Sequence, residues 1–377
     1  MPSVVNHFAR HRPGRALSCL ALPLMLAACA QSPRIAEQPV AERPQVLVTR
    51  HEAGDDLLTA GLGRAGLLGS PPTIADPDAP TAAELRRRAI YTNWRGIVDL
   101  VGSVGELPAV TGREYSSWRR VGDAQFPHRV LLQVPDQFDV TKPCLVVTAS
   151  SGSRGIYGAI GSAGQYALSR GCAVVYTDKG AGTDWVDPAS GEGFALDGRM
   201  VRAENAELFN VSSEAAPFVA FKHAHSTDNP EADWGDHVLQ AAEFGLEMLG
   251  QAFPAHGPFT GGRTRVLGFG LSNGGGAVLQ AAERDTRGLL DGVVAAAPNI
   301  HVPGQLSLYD IALEAAIFQP CLLLDGAPPA FLPEAAWRTP AEQRCRSLKG
   351  DGLGSRQHAR RAGAFSAWTL GHARHDR

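Results

Sequence analysis

The chain has 377 residues, 44% of them hydrophobic and 19% charged, with a net charge of -3. That length supports one large core or two domains. The near-neutral balance lacks the basic face on which phosphate-backbone binding depends, so nucleic-acid partners are set aside.

Residues 1–28 read as a signal peptide rather than as part of the fold. Arg10, Arg12 and Arg15 precede the apolar stretch "ALSCLALPLMLAA", which is too short for an ordinary membrane-spanning helix. The stretch runs into "LAAC", which has the shape of a bacterial lipobox and makes Cys29 a candidate lipid anchor. Small residues at Ala27, Ala28 and Ala30 equally suit plain cleavage. The expected location is secreted, periplasmic or cell-envelope, with lipidation left open.

Residues 29–80 are rich in Pro, Ala and Gly and are expected to form a tether and a loosely packed leader. Thr81 and Glu84 then form a capping box that should start an amphipathic helix. The main domain is expected over 81–349. A divergent basic tail occupies 350–377.

Within that domain, "HRVLLQVPDQF", "PCLVVTAS", "GCAVVYTD", "TRVLGFG" and "DGVVAAAPN" contain short apolar, β-branched runs, while "AIGSAGQYALSR" and "DHVLQAAEFGLEMLGQAF" have helical character. Continuous apolar strands separated by helices predict a parallel sheet covered on both faces. The expected class is α/β, with an α/β-hydrolase-like, doubly wound, mostly parallel sheet. In such sheets ligands collect at the carboxyl ends of the strands, which singles out the turns at 149–155, 178–184 and 270–276.

The third turn reads "VLGFGLSNGGGAVLQAAE". Gly270, Ser272 and Gly274 fit G-x-S-x-G between a strand and a helix, the setting of a nucleophilic serine on a strained turn. Ser272 is the candidate nucleophile. The backbone N–H of Asn273, at the start of the helix, is one candidate oxyanion donor. A dinucleotide turn is the competing reading, because Gly268, Gly270 and Gly274 imitate its spacing, but the next strand ends without the acidic partner. A purely structural glycine turn is the third.

The turn "TASSGSRG" stands where a second oxyanion donor belongs, and Ser153 is the candidate. A simple strand-to-helix turn also fits there. Gly155, Gly158, Gly161 and Gly164 recur at every third residue, which suits close packing, and no Gly-Lys-Ser/Thr completes a phosphate loop. Asp178, Lys179, Asp184 and Trp185 lie near the same edge, although loop charges are more often solvated. His223, His225 and His237 lack the partners of a metal site, so no metal is expected. Beyond Cys19 and Cys29, the cysteines are Cys144, Cys172, Cys321 and Cys345. Three connectivities are open, and buried free thiols are at least as plausible for Cys144 and Cys172.

Taken together, "SSGSRGIYGAIGSAGQYALSRGCAVVYTDKGAGTDW", "KHAHSTDNPEADWGDHVLQA" and "GFGLSNGGGAVLQAAE" resemble the bacterial D-(-)-3-hydroxybutyrate oligomer hydrolases, from about Glu52 to Leu348. The resemblance implies hydrolysis of short 3-hydroxybutyrate esters in poly(3-hydroxybutyrate) degradation, with Ser272 as nucleophile and no cofactor. It also implies a much longer chain. After about Gly350 the text turns basic and rich in Gly and Ala, and reads as a truncation or frame change that leaves the sheet incomplete. His358, His372, His375 and Asp325 are the available base and acid, but none stands in the strand-then-loop setting those roles require. A truncated, non-catalytic envelope protein of the same family is therefore the alternative expectation.

Overall fold

In the computed structural model, residues 45–94, 107–124, 126–152, 154–180, 185–202, 219–221, 229–300, 304, 307–325 and 333–350 are described. The five strands expected from the sequence form, joined by two that were not expected. The main sheet runs in the order β1 (Val46–His51), β2 (Gly112–Arg119), β3 (His128–Pro135), β5 (Ala173–Thr177), β4 (Cys144–Ala149), β10 (Arg265–Leu271) and β11 (Gly292–Ala296). β6 (Trp185–Asp187), β7 (Glu192–Phe194), β8 (Met200–Arg202) and β9 (Ala220–Phe221) make a small antiparallel sheet.

The architecture is α/β, but the main sheet is mixed rather than mostly parallel. β5, β4, β10 and β11 pair in parallel, whereas β1–β2, β2–β3 and β3–β5 pair antiparallel. For β2 and β3 the reason is local: the eight residues between them are too few for the crossover that parallel neighbours need.

Helices cover both faces of β3, β5 and β4, whereas the expected covering on both faces is not met at β10 and β11, where Leu267, Leu271 and Val294 are exposed on one face. On one face Leu131, Val146, Val174 and Tyr176 pack against α2 (Ala82–Trp94), the π-helical turn Ile160–Gly164 and α3 (Gln165–Leu168). On the other, Leu132, Leu145, Val147 and Val175 pack against α4 (Trp234–Ala252) and α5 (Asn273–Arg284). Each large apolar side chain so buried contributes roughly 1.5–3 kcal/mol. The capping box forms as expected: the Thr81 amide and hydroxyl both donate to Glu84, whose own amide donates back to Thr81 Oγ1.

Of the leader expected to be loose over 29–80, residues 45–67 are instead packed, while 68–80 contribute no buried residue. β1 forms the sheet edge, Leu57, Leu58 and the first short helix (α1, Gly63–Leu68) join the core, and Asp56 caps the backbone amides of Leu58, Thr59 and Gly61. Composition hid this, because Pro- and Gly-rich text is also what tight, side-chain-capped turns require. Signal, tether and Cys29 lie outside the described residues, as does the tail from residue 351. No helix among the described residues is long and apolar enough to cross a membrane.

The four cysteines among the described residues are paired. Cys144 bonds Cys172 at the lower ends of β4 and β5, and Cys321 in α6 (Leu308–Asp325) bonds Cys345 in α7 (Glu334–Gly350). Strand propensity predisposed Cys144 and Cys172 to be read as buried thiols. Parallel pairing of the two strands brings their Cα atoms to 4.9 Å, within disulfide range.

A buried charge network ties the antiparallel half together. Arg86 of α2 donates Nη2 to Glu114 Oε1 of β2 at 2.8 Å and Nη1 to Asp55 at 2.9 Å. His51 of β1 contacts Asp55 at 2.8 Å and Glu114 at 3.4 Å. Tyr157 and Gln133 also donate to Glu114, so no charge in the cluster is left unpaired. Burial opposes the charged form of His51 most strongly, but hydrogen bonds to Asp55 and Glu114 together outweigh it and push His51 up to about 9.

Because the folded-state value exceeds the ordinary 6.5, His51 contributes stability that is complete below about pH 6.5 and lost as pH rises through about 9. Thermal unfolding midpoints measured from pH 6 to 9.5 should show this directly. The gap between the unsubstituted chain and His51→Gln is expected to be widest at pH 6 and to close towards pH 9.5. A gap independent of pH would contradict the assignment.

Candidate active site

The parallel registers place the ends of β4, β5 and β10 along one edge: Ala149 pairs with Thr177 in one ladder, and Phe269 with Thr148 in the next. All three turns singled out from the sequence begin at this edge. The site is built where the β4 and β10 turns meet.

β10 carries the chain to Leu271, and α5 starts at Asn273, which leaves Ser272 alone to make the turn. Its backbone is forced to φ 56°, ψ -120°, a region that a residue with a side chain enters only under constraint, at a cost of about 1–3 kcal/mol. The constraint is visible on both sides. A Cβ on Gly270 would lie 2.0 Å from the Gly274 carbonyl oxygen, and one on Gly274 would lie 2.4 Å from that of Ala149. Only glycine lets α5 begin this close to β10 and β4.

The remaining glycines are also packed. A Cβ on Gly268 would meet Val293 at 2.9 Å, one on Gly275 would meet Pro298 at 3.1 Å and one on Gly276 the side chain of Asn299 at 2.8 Å. Gly268 therefore serves strand packing, and its nucleotide-like spacing follows from that.

Ser272 is half-buried and stands at the helix N-cap, yet its hydroxyl makes no capping hydrogen bond. Serine at this position normally caps; here the left-handed turn directs the hydroxyl elsewhere and leaves it available. Its backbone is fully engaged: the amide donates to Ala296 O at 2.9 Å, and the carbonyl accepts from Gly276 at 3.1 Å. Asn273 is the first helical residue, where a backbone N–H has no intrahelical acceptor and the helix dipole favours negative charge.

The β4 turn lies against this helix start. Gly152, at φ 58°, is adjacent to Asn273, whose Oδ1 is 3.8 Å from where a Gly152 Cβ would be. Ser153 itself is outside the described residues. Its neighbours are firmly held: Lys179 Nζ donates to the Gly152 carbonyl at 2.6 Å, and a Cβ on Gly158 would press into Ser150 Oγ at 2.5 Å.

Sequence reasoning placed Lys179 at this edge but weighed it towards a solvated loop charge. The residue is fully buried at φ 51°, with its ammonium 5.0 Å from the Trp234 ring centroid. Burial is the main influence and lowers its pKa to about 8, against the opposing pull of Asp178 and Glu231. The only sequence hint was its place at the end of an apolar strand. Asp178 is buried too and accepts from the Arg129 and Gly180 amides. Asp184 falls outside the described residues, and Trp185 packs edge-on against Phe194 in the small sheet.

Among the described residues no hydrogen bond or ion pair joins Ser272 to a histidine or a carboxylate. His237 packs its ring on His128 at 4.5 Å, and His128 bonds Thr177 and Gln240. His223, His225, His358, His372 and His375 lie outside the described residues. Asp325, offered as an acid, ends helix α6 rather than following a strand.

A family model described as 3HB-oligomer hydrolase (3HBOH) matches residues 25–374. The chain belongs to the 3HB-oligomer hydrolase family. It is 37% identical over 408 residues to a protein of Burkholderia pseudomallei named D-(-)-3-hydroxybutyrate oligomer hydrolase, in a match covering 92% of this chain and 58% of that one. Proteins of the same name from Burkholderia ambifaria and Paracidovorax citrulli are 39% and 38% identical, with 79% and 80% of this chain and 51% of each relative covered. The chain thus spans between half and three-fifths of the length of these family members. A solved structure of the cell-wall-degrading esterase LipA from Xanthomonas oryzae is similar over 55% of this chain and 44% of its own, at 15% identity and a TM-score of 0.29.

The tightness of the turn gives a direct test. Gly270→Ala is expected to lose at least about 2 kcal/mol or to fail to fold, because its Cβ meets backbone that cannot yield. Gly262→Ala, with nothing within 4 Å of the new Cβ, should stay within about 0.5 kcal/mol. Equal denaturant midpoints for the two variants would contradict the close approach.

Proposed function

We propose that this member of the 3HB-oligomer hydrolase family is a serine carboxylesterase that cleaves short D-(-)-3-hydroxybutyrate oligomers to monomers, as part of poly(3-hydroxybutyrate) breakdown. The observation that carries the reading is Ser272: a left-handed serine, uncapped, between two glycines that accept no side chain, facing the β4 turn. Neither a structural turn nor a nucleotide site needs a serine held in that conformation at such cost. The relatives' names supply the substrate class.

In this mechanism Ser272 Oγ attacks the ester carbonyl while a histidine base takes its proton. Negative charge gathers on the carbonyl oxygen and is met by the Asn273 amide and by an amide of the β4 turn, for which Ser153 is the candidate. The C–O bond then breaks, the proton passes to the departing alkoxide, and an acyl-serine remains. Water, deprotonated by the same histidine, hydrolyses the acyl-serine and restores Ser272. No metal or organic cofactor takes part in this scheme.

The α/β-hydrolase-like, doubly wound reading of the fold is supported by helices on both faces of β3, β5 and β4 and by the serine's position after the parallel strand β10. Export, with Cys29 as a lipid anchor or with free release, belongs to the same proposal. Two disulfides suit an oxidising compartment.

The rival reading, a non-catalytic family member, is favoured by the lack of any contact between Ser272 and a histidine among the described residues. Purified chain and Ser272→Ala are to be incubated with 3-hydroxybutyrate trimer while monomer release is followed. The unsubstituted chain should release monomer at least 100-fold faster than the variant. Equal, background-level release in both would sink the enzyme reading.

A further inference from the structure

A cavity of about 520 Å³ opens between α2, the antiparallel strands and the loop that continues from the β4 turn. Its volume lies in the range of small-molecule sites. Neither Ser272 nor Asn273 lines it. Arg154 does, and two residues of extended chain span at most about 7 Å, so the cavity begins close to Gly152 and hence to the start of α5.

Its walls are of two kinds. Leu47, Leu85, Ala89 and Ile156 give an apolar side, whereas the charged side holds an unbalanced sum. Arg86 and His51 are matched by Glu114 and Asp55. Arg50 is engaged by Asp136 and Glu52, and Asp197 by Arg199. Two cations are left without a carboxylate partner among the described residues, Arg129 and Arg154. By hydrogen bond each side chain reaches only a backbone carbonyl, Arg129 to Leu196 O and Arg154 to Asn93 O at 3.2 Å, and Arg129 also lies 5.4 Å from the Trp118 ring centroid. A guanidinium so placed has donors to spare, since it carries five N–H groups. The hydroxyl of Ser116, also on the wall, makes no hydrogen bond among the described residues.

Apolar lining and two surplus guanidinium groups in one cavity suit a short, branched aliphatic chain ending in a carboxylate. A hydroxyacid oligoester has one such end. We propose that this cavity holds the free carboxylate terminus of the oligoester through Arg129 and Arg154, so that the enzyme works inward from the acid end and releases the terminal hydroxyacid as the leaving alcohol. The assignment rests on the esterase reading for the identity of the ligand, and it concerns residues that reading does not use.

The test is isothermal titration of the Ser272→Ala chain, which leaves the ester intact, with linear 3-hydroxybutyrate trimer and with its methyl ester at pH 7.5. The free acid is expected to bind at least tenfold more tightly than the methyl ester, with the preference shrinking as salt is raised. In Ser272→Ala/Arg154→Gln the preference should fall at least threefold. Equal affinities for acid and ester in Ser272→Ala would overturn the proposal, as would no binding, or a preference unchanged by Arg154→Gln. Should the double variant not fold, the acid-against-ester comparison in Ser272→Ala alone decides.

Ser272-dependent hydrolysis of p-nitrophenyl butyrate by the unsubstituted chain is measured alongside. Retained hydrolysis without carboxylate preference overturns only the cavity assignment. Carboxylate preference without hydrolysis overturns only the serine reading and leaves the cavity as a carboxylate site.

Discussion

The closeness with which α5 starts against β4 and β10 governs the rest of this site. Gly274 rests on the Ala149 carbonyl, and Gly270 rests on the Gly274 carbonyl, so the turn between them is fixed by backbone contacts that no side chain enters. A serine in that turn has no relaxed conformation open to it and takes φ 56°. The strain, about 1–3 kcal/mol, is offset by the packing of the helix behind it. Val278, Ala277 and Ala281 of α5 are completely buried beside Val266 and Trp234, and burial on that scale exceeds the local cost. The helix is packed for stability, and the strained serine is carried on it.

The facing β4 turn is glycine-rich and weak in itself, and it is fixed from two directions. On one side Lys179 holds the Gly152 carbonyl. Peptide planarity means that a held carbonyl also fixes the plane of the bond after it. On the other side, five residues beyond Gly152, Tyr157 is bonded to Glu114, which Arg86 and His51 hold in place. Arg86 compensates Glu114 by charge, and without it the buried carboxylate would lose its main counter-charge at a cost of several kcal/mol. The ionic cluster and the candidate site are therefore parts of one arrangement: the cluster orders α2 and the β4 loop, and the loop forms a wall of the proposed oxyanion site.

Legibility in the sequence depends on which forces act locally. β4, β5, β10 and β11 were legible because each is a continuous apolar run; β4 and β5 are buried on both faces as that pattern predicts, while β10 and β11 carry it with one face exposed. The serine turn was legible because its steric requirement is written in adjacent residues. β1 and β2 were not, since "VLVTRH" and "GREYSSWR" carry His51, Glu114 and Ser117, whose burial is made possible by partners far along the chain. Glu114 looks like a surface residue until Arg86 is beside it. Lys179 escaped for the same reason. Its buried position depends on Trp234 and Gly152, residues 55 positions later and 27 earlier, and no local pattern encodes such a pairing.

The Cys144–Cys172 bridge completes this picture from the opposite end of the strands. The bridge closes a segment 28 residues apart in sequence that contains the whole β4 turn and the π-helical stretch with its glycines. Glycine loses more conformational freedom on folding than any other residue, so this segment is the one for which an ordered state is most costly. A loop of that size loses roughly 3–4 kcal/mol of unfolded-state entropy when cross-linked. The bridge thus acts where the chain's own propensity is poorest, holding β4 and β5 together at one end while Lys179 holds the turn at the other. Between these two fixed ends the glycines are free to serve close packing, with Gly158 against Ser150 and Gly164 against Tyr176, without having to supply the order themselves.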